Sequence, residues 1–158
     1  MKISAKDEYG LRILLRIARH TESEGITIAR ISEAEGLSEP YVAKITRMLR
    51  LSGFVQSTRG TRGGYVLSKP ANEIRISEVL RALDGALYDE SFCSDHSGKE
   101  SFCNNSVGCS VRSLWRMLQG KIDQILDSIT VADLIGDTNP FTAHHKIRTL
   151  RTPATTNG

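Results

Sequence analysis

The sequence predicts a mainly α-helical chain with one small β-hairpin, arranged as a winged helix-turn-helix followed by a long C-terminal helix. Three observations predict it. Two amphipathic helical stretches, broken by Gly36, lie between Thr27 and Ser52. Two short β-prone runs follow at once, joined by a basic, glycine-rich turn. Later, leucine, isoleucine and tryptophan recur at helical spacing from Leu114 to Ile129, the pattern of an apolar helix face.

Lys6 to about Thr21 reads as the first helix, with Leu11, Leu14, Leu15 and Ala18 on one side. Ser4 stands where a cap belongs, with Asp7 three residues on as a short version of the capping box. Thr27 caps a second helix to about Glu35, with Ile28, Ile31 and Ala34 inward. Gly36 ends it, since a left-handed backbone is cheap only for glycine. Ser38 caps the third helix, which has Pro40 in its first turn and runs to about Ser52. Val42, Ile45 and Leu49 face the core; Tyr41, Lys44 and Arg47 point mostly outward.

Phe54–Ser57 and Tyr65–Leu67 are the two strands, and Thr58 to Gly64 is the turn carrying Arg59 and Arg62. Ile76 to Ala86 is a fourth helix. Residues 88–108 are rich in Ser, Asp, Asn and Gly and read as irregular. Ser110 to about Ser128 is the long helix, and Thr130 caps a last short one to Ile135. From Thr138 the chain is polar, with the composition of a disordered tail. The expected organisation is therefore 1–75 winged helix-turn-helix, 76–109 connecting helix and cysteine loop, 110–137 dimerisation helices and 138–158 tail.

Charge is uneven. Ser38 to Arg75 holds seven basic residues against two acidic, net +5, whereas Ile76 onward holds eight basic against ten acidic, net −2. A local positive surface suits phosphates. In a helix-turn-helix the second helix enters the major groove with its N-terminal residues nearest the bases. Here those are Ser38, Tyr41 and Lys44, followed by Arg47. Gly60, Gly63 and Gly64 let the hairpin backbone approach a duplex, and Arg59 and Arg62 suit the minor groove, where negative potential is strongest. The long apolar stripe of Leu114, Trp115, Leu118, Ile122 and Ile125 has no counterpart in the small N-terminal core. It predicts an antiparallel homodimer on roughly palindromic double-stranded DNA.

Cys93, Cys103 and Cys109 are the three cysteines, in the pattern C-x9-C-x5-C. An odd number argues against a disulfide framework. Thiolates on one loop can hold an iron–sulfur cluster or zinc, or remain free; the absence of C-x2-C disfavours a zinc ribbon. An enzyme is disfavoured: the chain has no Gly-rich phosphate loop, no nucleophile elbow and no HExxH, and His20, His96, His144 and His145 are scattered. No apolar run is long enough for a membrane span and the N-terminus lacks a signal-peptide core, so the expected location is cytoplasmic.

Several stretches together resemble the family of iron–sulfur-dependent winged-helix transcriptional regulators that includes IscR and NsrR. They are the opening Met1-Lys2-Ile3-Ser4, Leu37-Ser38-x2-Tyr41-Val42, Leu49-x3-Gly53-Phe54-Val55, and Arg59-Gly60-x2-Gly63-Gly64-Tyr65-x-Leu67. Ile74-x-Ile76-x2-Val79-x3-Leu83-Asp84, and Cys109 leading to Leu114-Trp115 and on to Ile129-Thr130-Val131-x-Asp133-Leu134, extend the likeness over residues 1–136. The resemblance implies a homodimeric regulator whose Cys93, Cys103 and Cys109 hold a cluster, 2Fe–2S in preference to 4Fe–4S. It implies a fourth ligand near the N-terminus of the partner subunit, with Glu8 at that position and Asp7 and His96 as alternates. The chain departs from the family pattern in its long first cysteine gap. Arg112 stands where some members have a histidine ligand, and Ala43 where the iron–sulfur assembly regulator has an acidic side chain. The second difference leaves the target sequence open.

Overall fold

The structure is a computed structural model that describes residues 3–58, 63–86, 88 and 108–136. Its elements are α1 (Ala5–Arg19), α2 (Ile28–Glu35), α3 (Glu39–Leu51), β1 (Val55–Ser57), β2 (Tyr65–Leu67), a 3-10 turn (Ala71–Glu73), α4 (Ile76–Leu83), α5 (Ser110–Asp127) and α6 (Val131–Ile135). The mainly helical class with an antiparallel hairpin is as expected. The cysteine loop before Gly108, the tip of the hairpin and the tail lie outside the described residues.

The helix ends follow from local chemistry. Ser4 and Asp7 form a reciprocal capping box on α1, which satisfies backbone N–H groups left over at a helix start. Thr27 accepts the Arg30 amide at the start of α2, and Gly36 ends α2 at φ 66°. At α3 the expected side-chain cap is absent: Ser38 occupies the cap position, but its hydroxyl makes no capping bond. Helix α4 stops at Leu83, short of the expected Ala86, because Gly85 turns left-handed at φ 89°.

The core gathers side chains from nearly every element. Ile13, Leu14 and Ile17 of α1 meet Ile31 of α2, Val42, Ile45 and Leu49 of α3, and Phe54 and Val55 of the hairpin. The buried stripe of α1 is thus centred on Ile13, Leu14 and Ile17, while Leu11, Leu15 and Ala18 are only partly buried. Helix α1 is packed on several sides, by α2, α3, α4, α6 and β2, so a broader face than a single stripe is covered. Ala34, expected inward, is exposed; on the short α2 only Ile31 is fully buried.

The hairpin pairs Val55 with Leu67 and Ser57 with Tyr65. Ile26, from the α1–α2 connection, adds a third edge by exchanging backbone hydrogen bonds with Tyr65 at 3.1 and 2.9 Å. The chain then closes on itself. Ile76 N–H donates to Ile129 O and Val131 N–H to Ile74 O, both at 2.9 Å, and Val131 is fully buried in the N-terminal core. Helix α5 is anchored at its C-terminal end, where Leu126 and Ile129 pack on the core. None of its residues is fully buried.

Candidate functional site

Helix α3 projects from the core with Val42, Ile45, Thr46 and Leu49 inward. Its opposite side exposes Ala43, Lys44, Arg47 and Arg50, spaced three and four residues apart as one helix face requires. The partners of the cations are informative. Arg12 and Arg16 both bind Glu35, Arg30 reaches Glu22, Lys6 binds Asp84, Lys69 binds Glu78 and Arg81 binds Asp123. Arg19, Arg75 and Lys121 donate to oxygen acceptors. Among the described residues the side chains of Lys44, Arg47 and Arg50 have neither an ion pair nor a hydrogen bond, and all three lie on α3. Arg50 belongs to this face, although in the sequence it stood out only as part of the charge excess; its three-residue step from Arg47 was the available signal.

Ser38 is exposed and its hydroxyl has no partner among the described residues. Tyr41 is only half-buried and does not point freely outward: its ring meets Tyr9 of α1 edge-on, with centroids 6.0 Å apart. In the hairpin, Gly63 is exposed while Gly64 is buried. Thr58 braces the hairpin base: its amide donates to Gly64 O, its Oγ accepts the Gly64 amide at 2.8 Å, and its hydroxyl donates to Glu24 O at 2.6 Å. Arg59, Gly60 and Arg62 lie outside the described residues.

Of the cysteines, Cys109 is described; Cys93, Cys103 and the alternate ligand His96 lie outside the described residues. Cys109 is half-buried at the N-cap of α5, where its Sγ accepts the Arg112 amide at 3.4 Å. An amide hydrogen bond to sulfur is one of the features that tune iron–sulfur sites, so this cysteine fits a cluster ligand. At the head of α1, Asp7 is committed to Ser4, accepting from its amide and hydroxyl. Glu8 is exposed and its carboxylate makes no hydrogen bond or ion pair among the described residues. It borders a groove of about 440 Å³ between α1, α4 and α5, with Leu11, Leu80 and Ile122 in the walls.

The family model described as an iron-dependent transcriptional regulator, Rrf2, matches residues 3–137. The chain belongs to the Rrf2 family. As an Rrf2 protein it is a DNA-binding transcriptional regulator, and the winged helix-turn-helix read from its sequence is the fold of its relatives. It is 35% identical over 137 residues to the HTH-type transcriptional regulator IscR of Serratia proteamaculans, covering 87% of this chain and 80% of that protein. The structure is similar to T. potens IscR, with TM-score 0.67 and 30% identity over 85% of this chain and 86% of that one. It is equally similar to CymR, the global cysteine regulator of B. subtilis, with TM-score 0.67 and 32% identity over 85% of this chain and 96% of that one. No helix among the described residues of this Rrf2 protein is long and apolar enough to cross a membrane.

Proposed function

We propose that this Rrf2 protein is a homodimer whose affinity for a roughly palindromic operator is set by an iron–sulfur cluster. The observation that carries the DNA contact is the unpaired cationic face of Lys44, Arg47 and Arg50 on α3. Without carboxylate partners, these side chains are ready to replace the counterions of a duplex. Ser38 and Tyr41 stand at the end of α3 that meets base edges, and Arg59, Gly60, Arg62 and Gly63 are read as the duplex-facing part of the wing. Gly64 serves the hairpin by fitting against the backbone of Gly25.

Dimerisation is supported by the exposed face of α5. Val111, Leu114, Trp115, Met117, Leu118 and Ile125 are all more than a third exposed, an apolar surface large enough to require a cover. Val111, Trp115, Leu118, Ile122 and Ile125 alternate steps of four and three residues, the seam of paired helices.

Cys93, Cys103 and Cys109 would hold the cluster, with Glu8 of the partner subunit as fourth ligand and Asp7 or His96 as alternates. The free carboxylate of Glu8 and the engaged one of Asp7 favour Glu8. A cluster bound there supplies a redox- and iron-sensitive crosslink, 2Fe–2S in preference to 4Fe–4S. This chain's residues would convert it into geometry, since Cys109 begins the dimer helix and Glu8 sits on the helix against which α3 packs. A change in that linkage shifts the separation of the two α3 helices.

A second reading keeps the DNA contact and leaves the cysteines as free thiols. The equal structural likeness to the B. subtilis cysteine regulator favours it. One experiment separates the two: protein purified without oxygen is assayed for a visible chromophore, iron and sulfide, then for duplex binding with and without the chromophore. Matching iron and sulfide with different affinities supports the cluster switch. Colourless, iron-free protein whose DNA binding responds to thiol oxidants establishes the second reading.

A further inference from the structure

The geometry points to Tyr9 as a positioning residue for DNA binding, one that holds Tyr41 of the recognition helix in its reading orientation. The inference rests on α3 being the helix that meets DNA and goes beyond it by naming a residue of α1.

The first turn of α3 is poorly fixed by its own chain. Ser38 makes no side-chain cap. Ser38, Glu39, Pro40, Ala43 and Lys44 are all exposed, so in this stretch only Tyr41 and the buried Val42 contact the rest of the fold appreciably. Val42 fixes where the helix sits. The ring of Tyr41 is fixed by Tyr9, whose plane stands at 90° to it, with centroids 6.0 Å apart. Edge-to-face is a preferred aromatic geometry with an angular demand that aliphatic packing lacks.

Tyr9 is itself held by a cation. The Arg12 guanidinium lies 5.5 Å from its ring centroid. Arg12 is in turn fixed by Glu35 of α2, through a 2.8 Å bond to the carboxylate and a 3.3 Å bond to the Glu35 carbonyl. Glu35, Arg12, Tyr9 and Tyr41 therefore form a ladder from the end of α2, across α1, to the start of α3. Neither tyrosine hydroxyl has a hydrogen-bond partner among the described residues. The Tyr41 hydroxyl is thus available to a phosphate or a base, provided the ring is aimed.

The test is a double-mutant cycle on the full chain purified without oxygen, using a duplex that the wild-type protein enriches from a random-sequence pool. Tyr9→Leu should weaken binding roughly two- to tenfold, the scale of one aromatic pair, while Tyr9→Phe stays near wild type because the ring is kept. In a Tyr41→Leu background, Tyr9→Leu should add nothing further. Thermal melting accompanies each variant, and Tyr9→Met replaces Tyr9→Leu if the leucine variant does not fold. Unchanged affinity on loss of the ring overturns the proposal. So does a loss of equal size whether or not Tyr41 is present, or a Tyr9→Phe defect as large as Tyr9→Leu, which would mean that the hydroxyl itself touches DNA. If the wild-type protein enriches no duplex, the DNA-facing reading of α3 fails first and the positioning role falls with it.

Discussion

Gly64 of the hairpin lies directly on the backbone of Gly25: a Cβ added to Gly64 would stand 2.6 Å from the Gly25 carbonyl carbon and 2.8 Å from the Ile26 amide nitrogen. Backbone atoms on the far side of this approach cannot swing away. Gly25 is also at φ 77°, where a side chain is strained. The pair lets the α1–α2 connection serve as a third strand beside the wing. Gly64→Ala should therefore destabilise the fold by about 1–3 kcal/mol, the usual cost of overpacking, read as a lower thermal midpoint. An unchanged midpoint would mean that the hairpin does not press on Gly25.

Thr46 is fully buried in α3 and its hydroxyl has no hydrogen-bond partner among the described residues. A buried unpaired hydroxyl is costly, and replacing it by a methyl group of the same shape relieves that cost. Thr46→Val should raise stability by about 1 kcal/mol in denaturant unfolding. DNA affinity should be unchanged, since position 46 faces away from the cationic side of α3.

Glu35 joins α1 to α2 through Arg16 at 2.7 Å and Arg12 at 2.8 Å, and its side chain is only 6% exposed. Burial pushes its carboxyl up, but hydrogen bonds from Arg16 and then Arg12 outweigh it and hold the group below its ordinary value of 4.5. A depressed folded value means that the stabilisation is fully present above the unfolded value and disappears as pH falls through the folded one. Glu35→Gln should thus lower stability at neutral pH by about 1 kcal/mol, a modest figure because both guanidinium groups are substantially exposed. The gap between variant and wild type should close in acid below 4.5. Melting curves over a pH series check both the sign and the window.

Ile125 is 61% exposed on the α5 seam. Ile125→Lys should bury a charge against the apolar seam of the partner helix and shift sedimentation from dimer to monomer at micromolar concentration. Wild-type protein that already sediments as a monomer would remove the dimer from the mechanism.

On α3, Lys44→Ala and Arg47→Ala should each weaken binding to unrelated duplexes as well as to an enriched one. Each should also flatten the dependence of log affinity on log salt by about one unit for every phosphate the variant no longer neutralises. A change confined to one sequence would instead assign the residue to base reading.

Much of this protein was legible in its sequence because the decisive signals are local. Helical spacing, the Ser4–Asp7 and Thr130–Asp133 caps, Gly36 and the basic glycine-rich hairpin turn depend on residues a few positions apart. They determined the helix order, the hairpin and the helix-turn-helix directly. The candidate cationic face was legible for the same reason, apart from Arg50. What spacing could not supply were relations between distant segments. Nothing near Tyr41 signals that Tyr9 will meet its ring, nor near Gly64 that Gly25 will fill the space a side chain would need. The return of Val131 to the core under α1 likewise depends on how helices stack. Periodicity tells which side of a helix is apolar; only packing decides which neighbour covers it, and on α5 it leaves a face that the described residues of this chain do not cover.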